Sequence, residues 1–256
     1  MVQDNPKISG VIITLNEEKK IESAIKSLSF CDEIIIVDSF STDKTITIAK
    51  KLGAITYSNP FKNFSDQRNF GAKKASNNWI FALDADEQVS LQLKKEIESF
   101  KWSKYENISA LKIKRSFHFL GKPLEYGGTK SDIHIRMYNK TKCEYINPVH
   151  EKIKINLGEV KTLNSKIEHH TFNNLNHYIK KQIHYAEIQA KKLFDKNPNK
   201  RITIFHLIIK PHFKFFKSYI LKRGFLDGFP GFVRASTQAI TVVFRYIKFW
   251  QLKNNH

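Results

Sequence analysis

The chain has 256 residues, of which 41% are hydrophobic and twenty are phenylalanine. This length and apolar content exclude an intrinsically disordered chain and are sufficient for one sizeable hydrophobic core. The formal net charge of +19 predicts attraction to polyanions, but only seven of the 43 basic residues are arginine, so the charge alone is a weak indication of nucleic-acid binding.

Apolar strand-like runs and helical patterns alternate through the first hundred residues. The predicted strands are 8–15, 33–38, 54–57 and 79–83. The predicted helices, which follow these strands in turn, are 17–29, 44–52, 65–76 and 91–100. This alternation predicts an α/β fold in which a Rossmann-like, mostly parallel sheet is covered by helices.

Polar side chains follow three of the four predicted strands. Asn16 and Glu17 follow the first strand, Asp38 ends the second, and Asp84 and Asp86 follow the fourth. In such sheets ligands bind beyond the carboxyl ends of the strands. Because Mg²⁺ typically binds one or two carboxylates together with phosphate oxygens, the pattern predicts a site for a metal and a diphosphate. The alternative is a solvated turn after each buried strand.

Several common motifs are missing. No Gly-x-Gly-x-x-Gly follows the first strand and no P-loop occurs, which disfavours a dinucleotide-binding fold and a P-loop NTPase. Cys31 and Cys143 are too few and too far apart for a zinc site or a disulfide framework, so we expect a reducing compartment. The polar start and the lack of an apolar run of ~18 residues predict neither a secretion signal nor a membrane span.

The second half of the chain has a different pattern. Alternating segments at 108–117 and 133–138 predict strands, a strand-like stretch runs to 170, and 174–196 is predicted to be a helix. The tail, 201–256, holds ten basic residues, twelve aromatic residues and one acidic residue, Asp227. It is typical either of an amphipathic segment on anionic lipid or of a helical cap on the sheet. The predicted breaks between its helical pieces are Pro211, Gly224, Gly228, Pro230 and Gly231.

Four segments of the first hundred residues resemble, in order, those of the inverting family 2 glycosyltransferases, which have a GT-A fold. They are 11–17, 36–43, 66–69 and 83–87. Three later segments resemble the lipopolysaccharide core β-glucosyltransferase branch of that family: 147–151, 169–171 and 226–231. The resemblance implies a nucleotide-sugar-binding half at 1–105, an acceptor-side half of the same catalytic domain at 106–172, and a basic, aromatic-rich, membrane-associating helical extension at 173–256.

The resemblance also implies roles at the strand ends. Asp38 would accept a hydrogen bond from the N3–H of uracil. Asp86 would bind Mg²⁺ or Mn²⁺ between the two phosphates. The residues that would contact the nucleotide-sugar are Thr14, Asn16, Glu17, Asp38, Arg68 and Asp84. The alternatives are that Asp38 caps a turn, that Glu17 is a first-turn helix acid and that Arg68 is a solvent-facing helix residue.

Inversion requires a base that deprotonates the acceptor hydroxyl. The family draws this base from an acidic residue well after the Asp-x-Asp motif, and Glu151 fits that place; the alternative is an ordinary surface glutamate. We expect His150 to be a structural residue; the alternatives are that it orients the base or that it binds the metal. Arg136 is predicted to hold a phosphate or the acceptor, or else to form a surface ion pair. Three residues have no predicted chemistry: Glu87, taken as a structural acid at a helix start, His169 and His170.

The resemblance therefore implies a metal-dependent inverting glycosyltransferase that transfers a hexose, with glucose from UDP-glucose preferred, to a lipid-linked saccharide such as lipopolysaccharide core. Its expected partners are a UDP-sugar, a glycolipid or saccharide acceptor and an anionic membrane surface, at the cytoplasmic face of the inner membrane, with no nucleic acid. The alternatives are a transferase that uses another UDP-sugar for capsule or O-antigen, a basic nucleic-acid-binding protein, and a catalytically dead membrane scaffold.

Overall fold

The structure, a computed structural model, describes residues 5–104, 107–128, 132–147, 151–169 and 175–254. Its strands are β1 (Ile8–Thr14), β2 (Glu33–Asp38), β3 (Ile55–Ser58), β4 (Trp79–Asp84), β5 (Glu87–Val89), β6 (Ile108–Phe119), β7 (Lys122–Leu124), β8 (Ile133–Asn139), β9 (Cys143–Ile146), β10 (Lys152–Ile155) and β11 (Glu159–His169). Its α-helices are α1 (Ile21–Ser27), α2 (Thr45–Lys51), α3 (Phe64–Lys74), α4 (Leu91–Glu98), α5 (Leu175–Lys196), α6 (Lys210–Phe216) and α7 (Gly228–Asn254).

The chain forms two compact units. The first consists of residues 1–115 and 132–169, and the second of 116–131 and 170–256. In the first unit the strands follow the order β3-β2-β1-β4-β8-β6-β11-β5. The strands from β3 to β4 are parallel, whereas β8 runs antiparallel to β4 and β6. The predicted α/β fold class is therefore confirmed, and the alternating segments of the second half supply the antiparallel strands.

The register of the parallel strands aligns the predicted site residues. β1 lies between β2 and β4, with Thr14 opposite Asp38 and Ile13 opposite Asp84. Because these strands are parallel and in this register, their carboxyl ends form one continuous edge. The three polar strand ends predicted from the sequence are therefore neighbours in space.

Both faces of this sheet are buried. Ile12 and Phe81 belong to one apolar cluster, and Val11 and Ile80 to the other, as the two-residue period of a strand requires. Helix α3 packs so closely on the second face that a Cβ at Gly71 would overlap the side chain of Val11. This close packing fixes α3, and with it the side chains that α3 directs toward the end of β4.

The first helix begins later than predicted. The segment 17–20 forms a turn in which Lys20 N–H donates to Glu17 O over 2.9 Å, and α1 starts only at Ile21. Glu17 N–H donates to Thr45 Oγ1 over 2.8 Å. This bond to the start of α2 holds Glu17 in the loop after β1 instead of in a helix.

In the second unit α5 and α7 pack along each other, and a further helical segment precedes α7. That segment is π-helical at Phe205–Ile209 and Lys217–Leu221, with α6 between. The predicted break at Pro211 is wrong, because the backbone stays helical through Ile209 and Lys210 into α6. The wider π turn directly before Pro211 departs from the α-helical hydrogen-bond pattern that a proline would otherwise interrupt. Within the described ranges no helix has the length and apolar content needed to cross a bilayer.

The segment 226–231 has a structural role in this unit. The Asp227 carboxylate accepts hydrogen bonds from the backbone N–H groups of Glu125 and Tyr126, each over 3.0 Å. A 3-10 turn, Gly224–Asp227, separates the two helical segments, so the predicted break at Gly224 is confirmed. Gly228, whose φ of 63° and ψ of −142° are not helical, separates that turn from the rest of α7, so the predicted break there is confirmed as well. The predicted breaks at Pro230 and Gly231 are wrong, since these residues lie in the first turn of α7, where a proline is tolerated.

Candidate functional site

Two cavities in the first unit share Asp84. The strand-end cavity, of about 480 Å³, lies at the ends of β1 and β4, and its polar lining is Thr14, Glu17, Ser39, Gln67, Asp84, Asp86 and His169. The Arg68 cavity, of about 750 Å³, has a polar lining of Arg68, Asp84, Lys112, Arg115, His134, Arg136, Tyr145, Glu151 and Lys152. The end of β4 therefore faces two spaces with different chemistry, an acidic one and a largely basic one.

Thr14 and Glu17 present polar groups to the strand-end cavity. The hydroxyl Oγ1 of Thr14 is buried and has no hydrogen-bond partner among the described residues, which suits it to a ligand. Burial raises the pKa of the Glu17 carboxyl, and the nearby Asp86 carboxylate raises it further, against the opposing effect of Lys20. The cavity wall is therefore a place where a cation would be stabilised.

Asn16 and Asp38 instead hold the loop at 39–43. Asp38 accepts hydrogen bonds from the backbone N–H (2.9 Å) and hydroxyl of Ser41. Asn16, whose φ of 55° is left-handed, accepts from the N–H of Thr42 over 2.8 Å. These contacts are those of the turn-capping alternative for Asp38, and neither residue is in the described lining of the two cavities. Contact of Asp38 with uracil stays a prediction.

Asp84 is held by two arginines. Arg68 Nη2 donates to one carboxylate oxygen over 2.7 Å, and Arg136 Nη2 lies 3.5 Å from the other. Burial acts to raise the pKa of Asp84, but the charges of Arg68 and then Arg136 hold it well below its usual range. Asp84 is thus an ionised, fixed carboxylate whose oxygens are already engaged, so it is a poorer metal ligand than Asp86.

Asp86 lies beside a histidine. His169 Nε2 is 3.2 Å from Asp86 Oδ2, because β11 pairs with β5 and brings its last residue to this point. Burial acts to raise the pKa of Asp86, and the hydrogen bond and charge of His169 lower it overall. The described residues contain no group of three or more His, Cys, Asp or Glu side chains suited to a metal. One carboxylate and one imidazole fit a cation that takes its other ligands from a diphosphate.

Glu151 lines the Arg68 cavity. Its Oε1 is 3.7 Å from Arg68 Nη2, so Arg68 stands between Glu151 and Asp84. The Arg68 guanidinium also lies over the ring of Tyr145, 5.4 Å from the centroid. Arg68 is 5% exposed, which excludes the alternative of a solvent-facing residue. His150 and His170 lie outside the described residues.

A buried ion network supports this arrangement. Glu87 is 0% exposed and accepts from Arg136 over 2.6 Å, while Arg115 Nη1 lies 3.3 Å away. The prediction of Glu87 as a helix-start acid is wrong, since it lies in β5 and is packed against Arg136. The surface ion pair considered for Arg136 is likewise wrong, because Arg136 is buried and pairs with Glu87 and Asp84.

The structure therefore divides the predicted site residues among three places. Thr14, Glu17, Asp84 and Asp86 meet in the strand-end cavity, Arg68 and Glu151 face the second cavity, and Asn16 and Asp38 brace the adjoining loop. Sequence reasoning missed the contact of His169 with Asp86 and the full burial of Glu87 in β5, although it did predict a structural role for Glu87. The adjacent histidines at the end of a predicted strand were the available signal for His169, but its pairing with β5 depends on the fold.

Comparison with known proteins relates this chain to a family of glycosyltransferases. The model of the family "Glycosyl transferase family 2" matches residues 9–147, which is more than half of the chain. An uncharacterised glycosyltransferase of Rickettsia typhi is 31% identical over 96% of this chain and 85% of its own length. The lipopolysaccharide core biosynthesis glycosyltransferase LpsC of Rhizobium meliloti is 27% identical over 95% of this chain and 92% of its own length.

Solved structures with similar architecture include residues 1–349 of Staphylococcus aureus TarS in complex with UDP-GlcNAc. That structure aligns with 93% of this chain and 81% of its own, at 16% identity and a TM-score of 0.48. Glucosyl-3-phosphoglycerate synthase of Mycobacterium tuberculosis, in complex with Mn²⁺, UDP and glucosyl-3-phosphoglycerate, aligns over 44% of each chain at 25% identity and a TM-score of 0.35. On the strength of the family model and the full-length relatives, this chain belongs to glycosyltransferase family 2.

Proposed function

We propose that this chain transfers glucose from UDP-glucose, with inversion at the anomeric carbon, to a lipid-linked saccharide such as lipopolysaccharide core. Family membership supports sugar transfer, and the likeness to LpsC supports the acceptor class. The alternative is transfer from another UDP-sugar to a capsule or O-antigen intermediate. Both functions require a donor and an acceptor that meet at one point.

The observation that carries this proposal is the sharing of Asp84 by two cavities of opposite character. The metal candidate, Asp86, lines only the strand-end cavity, and the base candidate, Glu151, lines only the Arg68 cavity. A donor in the first and an acceptor in the second would meet beside Asp84. Inverting transfer needs this separation, because the acceptor hydroxyl attacks from the side opposite the leaving group.

The chemistry assigned to the side chains is simple. Glu151 takes the proton from the acceptor hydroxyl. At the same time the hydroxyl oxygen forms the new bond to the anomeric carbon, and the bond from that carbon to UDP breaks. Arg68 positions this base, since it is 3.7 Å from Glu151 Oε1 and is itself fixed by Asp84. The hydroxyl of Thr14 and the side chain of Glu17 contact the donor nucleotide.

Asp86 and His169 would hold Mg²⁺ or Mn²⁺, which would neutralise the charge that grows on the leaving diphosphate. Asp84 serves instead to fix Arg68 and to face the uridine. Asn16 and Asp38 support the donor site by holding the loop at 39–43. Asp38 is also the last residue of β2, and substitution of Asp38 tests its proposed contact with uracil. The whole assembly works at the inner face of the cytoplasmic membrane, where a lipid-linked acceptor would lie.

The donor sugar is tested with a panel of nucleotide sugars. We expect UDP-glucose to give the fastest release of UDP by slow donor hydrolysis, roughly tenfold faster than UDP-galactose or UDP-GlcNAc. The inverted C4 hydroxyl of galactose and the N-acetyl group at C2 of GlcNAc would each leave a polar partner in the site unpaired. GDP-mannose, which carries guanine in place of uracil, is the control for recognition of the nucleobase. Faster turnover of another UDP-sugar would favour the alternative, and equal turnover of GDP-mannose would contradict a uridine site.

A further inference from the structure

The helical segment before α7 has an unusually apolar exposed surface. Two rows of residues spaced four apart are exposed along it, and the wider π turns at both ends keep such rows aligned along the helix. The rows are Phe205, Ile209, Phe213, Lys217 and Leu221, and Ile204, Ile208, His212, Phe216 and Ile220. The opposite side is buried, with Pro211 and Ser218 inside the second unit.

This surface continues into the start of α7. Between residues 204 and 232, thirteen large apolar side chains are exposed, including Ile204 at 74%, Phe229 at 72%, Leu221 at 59% and Phe213 at 58%. The rest of α7 exposes three, Ile240, Ile247 and Trp250. Exposed apolar surface at this density marks an interaction site. We call residues 204–232 the apolar hairpin.

Positive charge borders the apolar hairpin. The basic residues of the apolar hairpin are Lys210, Lys214, Lys217, Lys222 and Arg223. Its one acidic residue, Asp227, already accepts two backbone hydrogen bonds. Burial lowers the pKa of Lys214, and repulsion from Lys222, Arg234 and Lys217 lowers it further. These cations are thus close enough to repel each other, and an anionic partner would relieve that repulsion.

We propose that the apolar hairpin is the surface by which the protein inserts into an anionic lipid bilayer. Apolar side chains between lysines suit the acyl–headgroup boundary, where aromatic and aliphatic groups enter the membrane and cations contact the headgroups. A second copy of the chain fits less well, because a symmetric contact would bring like charges together. The apolar hairpin would be the surface that holds the protein at the membrane, where the proposed function places it. Helix α5 and the remainder of α7 are not part of this surface, because they pack against each other.

Vesicle flotation without nucleotide tests this surface separately from the enzyme. We expect the wild type to bind vesicles of 70% phosphatidylcholine and 30% phosphatidylglycerol, and the variant Phe213→Gln/Leu221→Gln/Phe229→Gln to lose at least tenfold in partition coefficient. The variant Lys214→Gln/Lys217→Gln/Lys222→Gln should lose the preference for anionic over neutral vesicles, at roughly fivefold per charge.

The matched control substitutes equally exposed apolar residues elsewhere, Leu91→Gln/Leu157→Gln/Trp250→Gln, and should float like the wild type. Circular dichroism establishes folding, and donor hydrolysis in lipid-free buffer should be unchanged in all three variants, which separates loss of the surface from loss of the proposed function. Equal flotation of the apolar-hairpin variant and the wild type would overturn the proposal. A wild type that does not bind vesicles but is a dimer in solution, together with an apolar-hairpin variant that is a monomer, would also overturn it. The surface would then be a protein interface.

Discussion

Replacing Glu151 with glutamine is expected to lower the rate of UDP release from UDP-glucose by two to four orders of magnitude, the range typical of a lost general base. The amide has nearly the shape of the carboxylate but cannot accept the proton. Glu151 lies in the Arg68 cavity and outside the described lining of the strand-end cavity, so the affinity for UDP should change by less than about twofold. Donor hydrolysis, with water as acceptor, measures the rate, and calorimetry measures the affinity.

The control for this prediction is Glu144→Gln. Glu144 lies on β9, which pairs with β10 next to Glu151, but it is exposed and lies 3.7 Å from Lys154. Its substitution should leave both the rate and the affinity unchanged. A Glu151→Gln enzyme that keeps turnover would contradict the assignment of the base. A Glu151→Gln enzyme that loses both turnover and UDP binding would show that Glu151 has a structural role.

Replacing Glu87 with alanine is expected to lower the free energy of unfolding by about 3–5 kcal/mol, the usual cost of removing one partner of a buried ion pair. Arg136 is 5% exposed and would lose its 2.6 Å partner. The substitution should also shift Arg136 toward Asp84, which would disturb the junction of the two cavities. Urea denaturation measures the change in stability from the transition midpoint and slope.

Two further variants separate charge pairing from packing. Glu22→Ala removes an exposed partner of Lys26, and its denaturation midpoint should not change measurably. Replacing the buried pair together, Glu87→Leu/Arg136→Met, should recover much of the stability lost in Glu87→Ala, because apolar residues of similar volume need no compensating charge. A Glu87→Ala protein that unfolds at the wild-type urea concentration would show that the network contributes little to stability.

The positions of the strand-end residues could be predicted from the sequence because each depends on local pattern. Asp38 and Asp84 each end a largely apolar strand of six residues, and an α/β alternation places such ends on one edge of the sheet. The register that sets Thr14 opposite Asp38 follows from the parallel pairing of short strands. The class of the fold and the place of the site are therefore consequences of periodicity.

The partners of these residues could not be predicted in the same way. Arg68 was expected on a nucleotide, yet it bonds Asp84, sixteen positions away, and His169 reaches Asp86 from 83 positions away. The contact of Arg68 depends on how α3 packs on the sheet, and the contact of His169 depends on how β11 pairs with β5. Burial of Arg136 and Glu87 was also hidden, because a charged residue at a strand position usually indicates an exposed face. The pattern of residues predicts the position of the candidate site, while tertiary packing decides which charged side chains form buried ion pairs within the protein.

The two roles proposed for the aspartates, Asp86 on a metal and Asp84 on structure, are tested most directly by calorimetric titration with UDP. We expect MnCl₂ to tighten UDP binding to the wild type by roughly tenfold or more, within the usual range of coupling between two ligands, and to have no effect on UDP binding to Asp86→Ala. Asp195→Ala, on the exposed side of α5, is the control and should behave as the wild type. UDP binding that is equally weak with and without Mn²⁺ in the wild type and in Asp86→Ala, together with tight, salt-sensitive binding of DNA, would contradict the assignment of this edge as a nucleotide-sugar site.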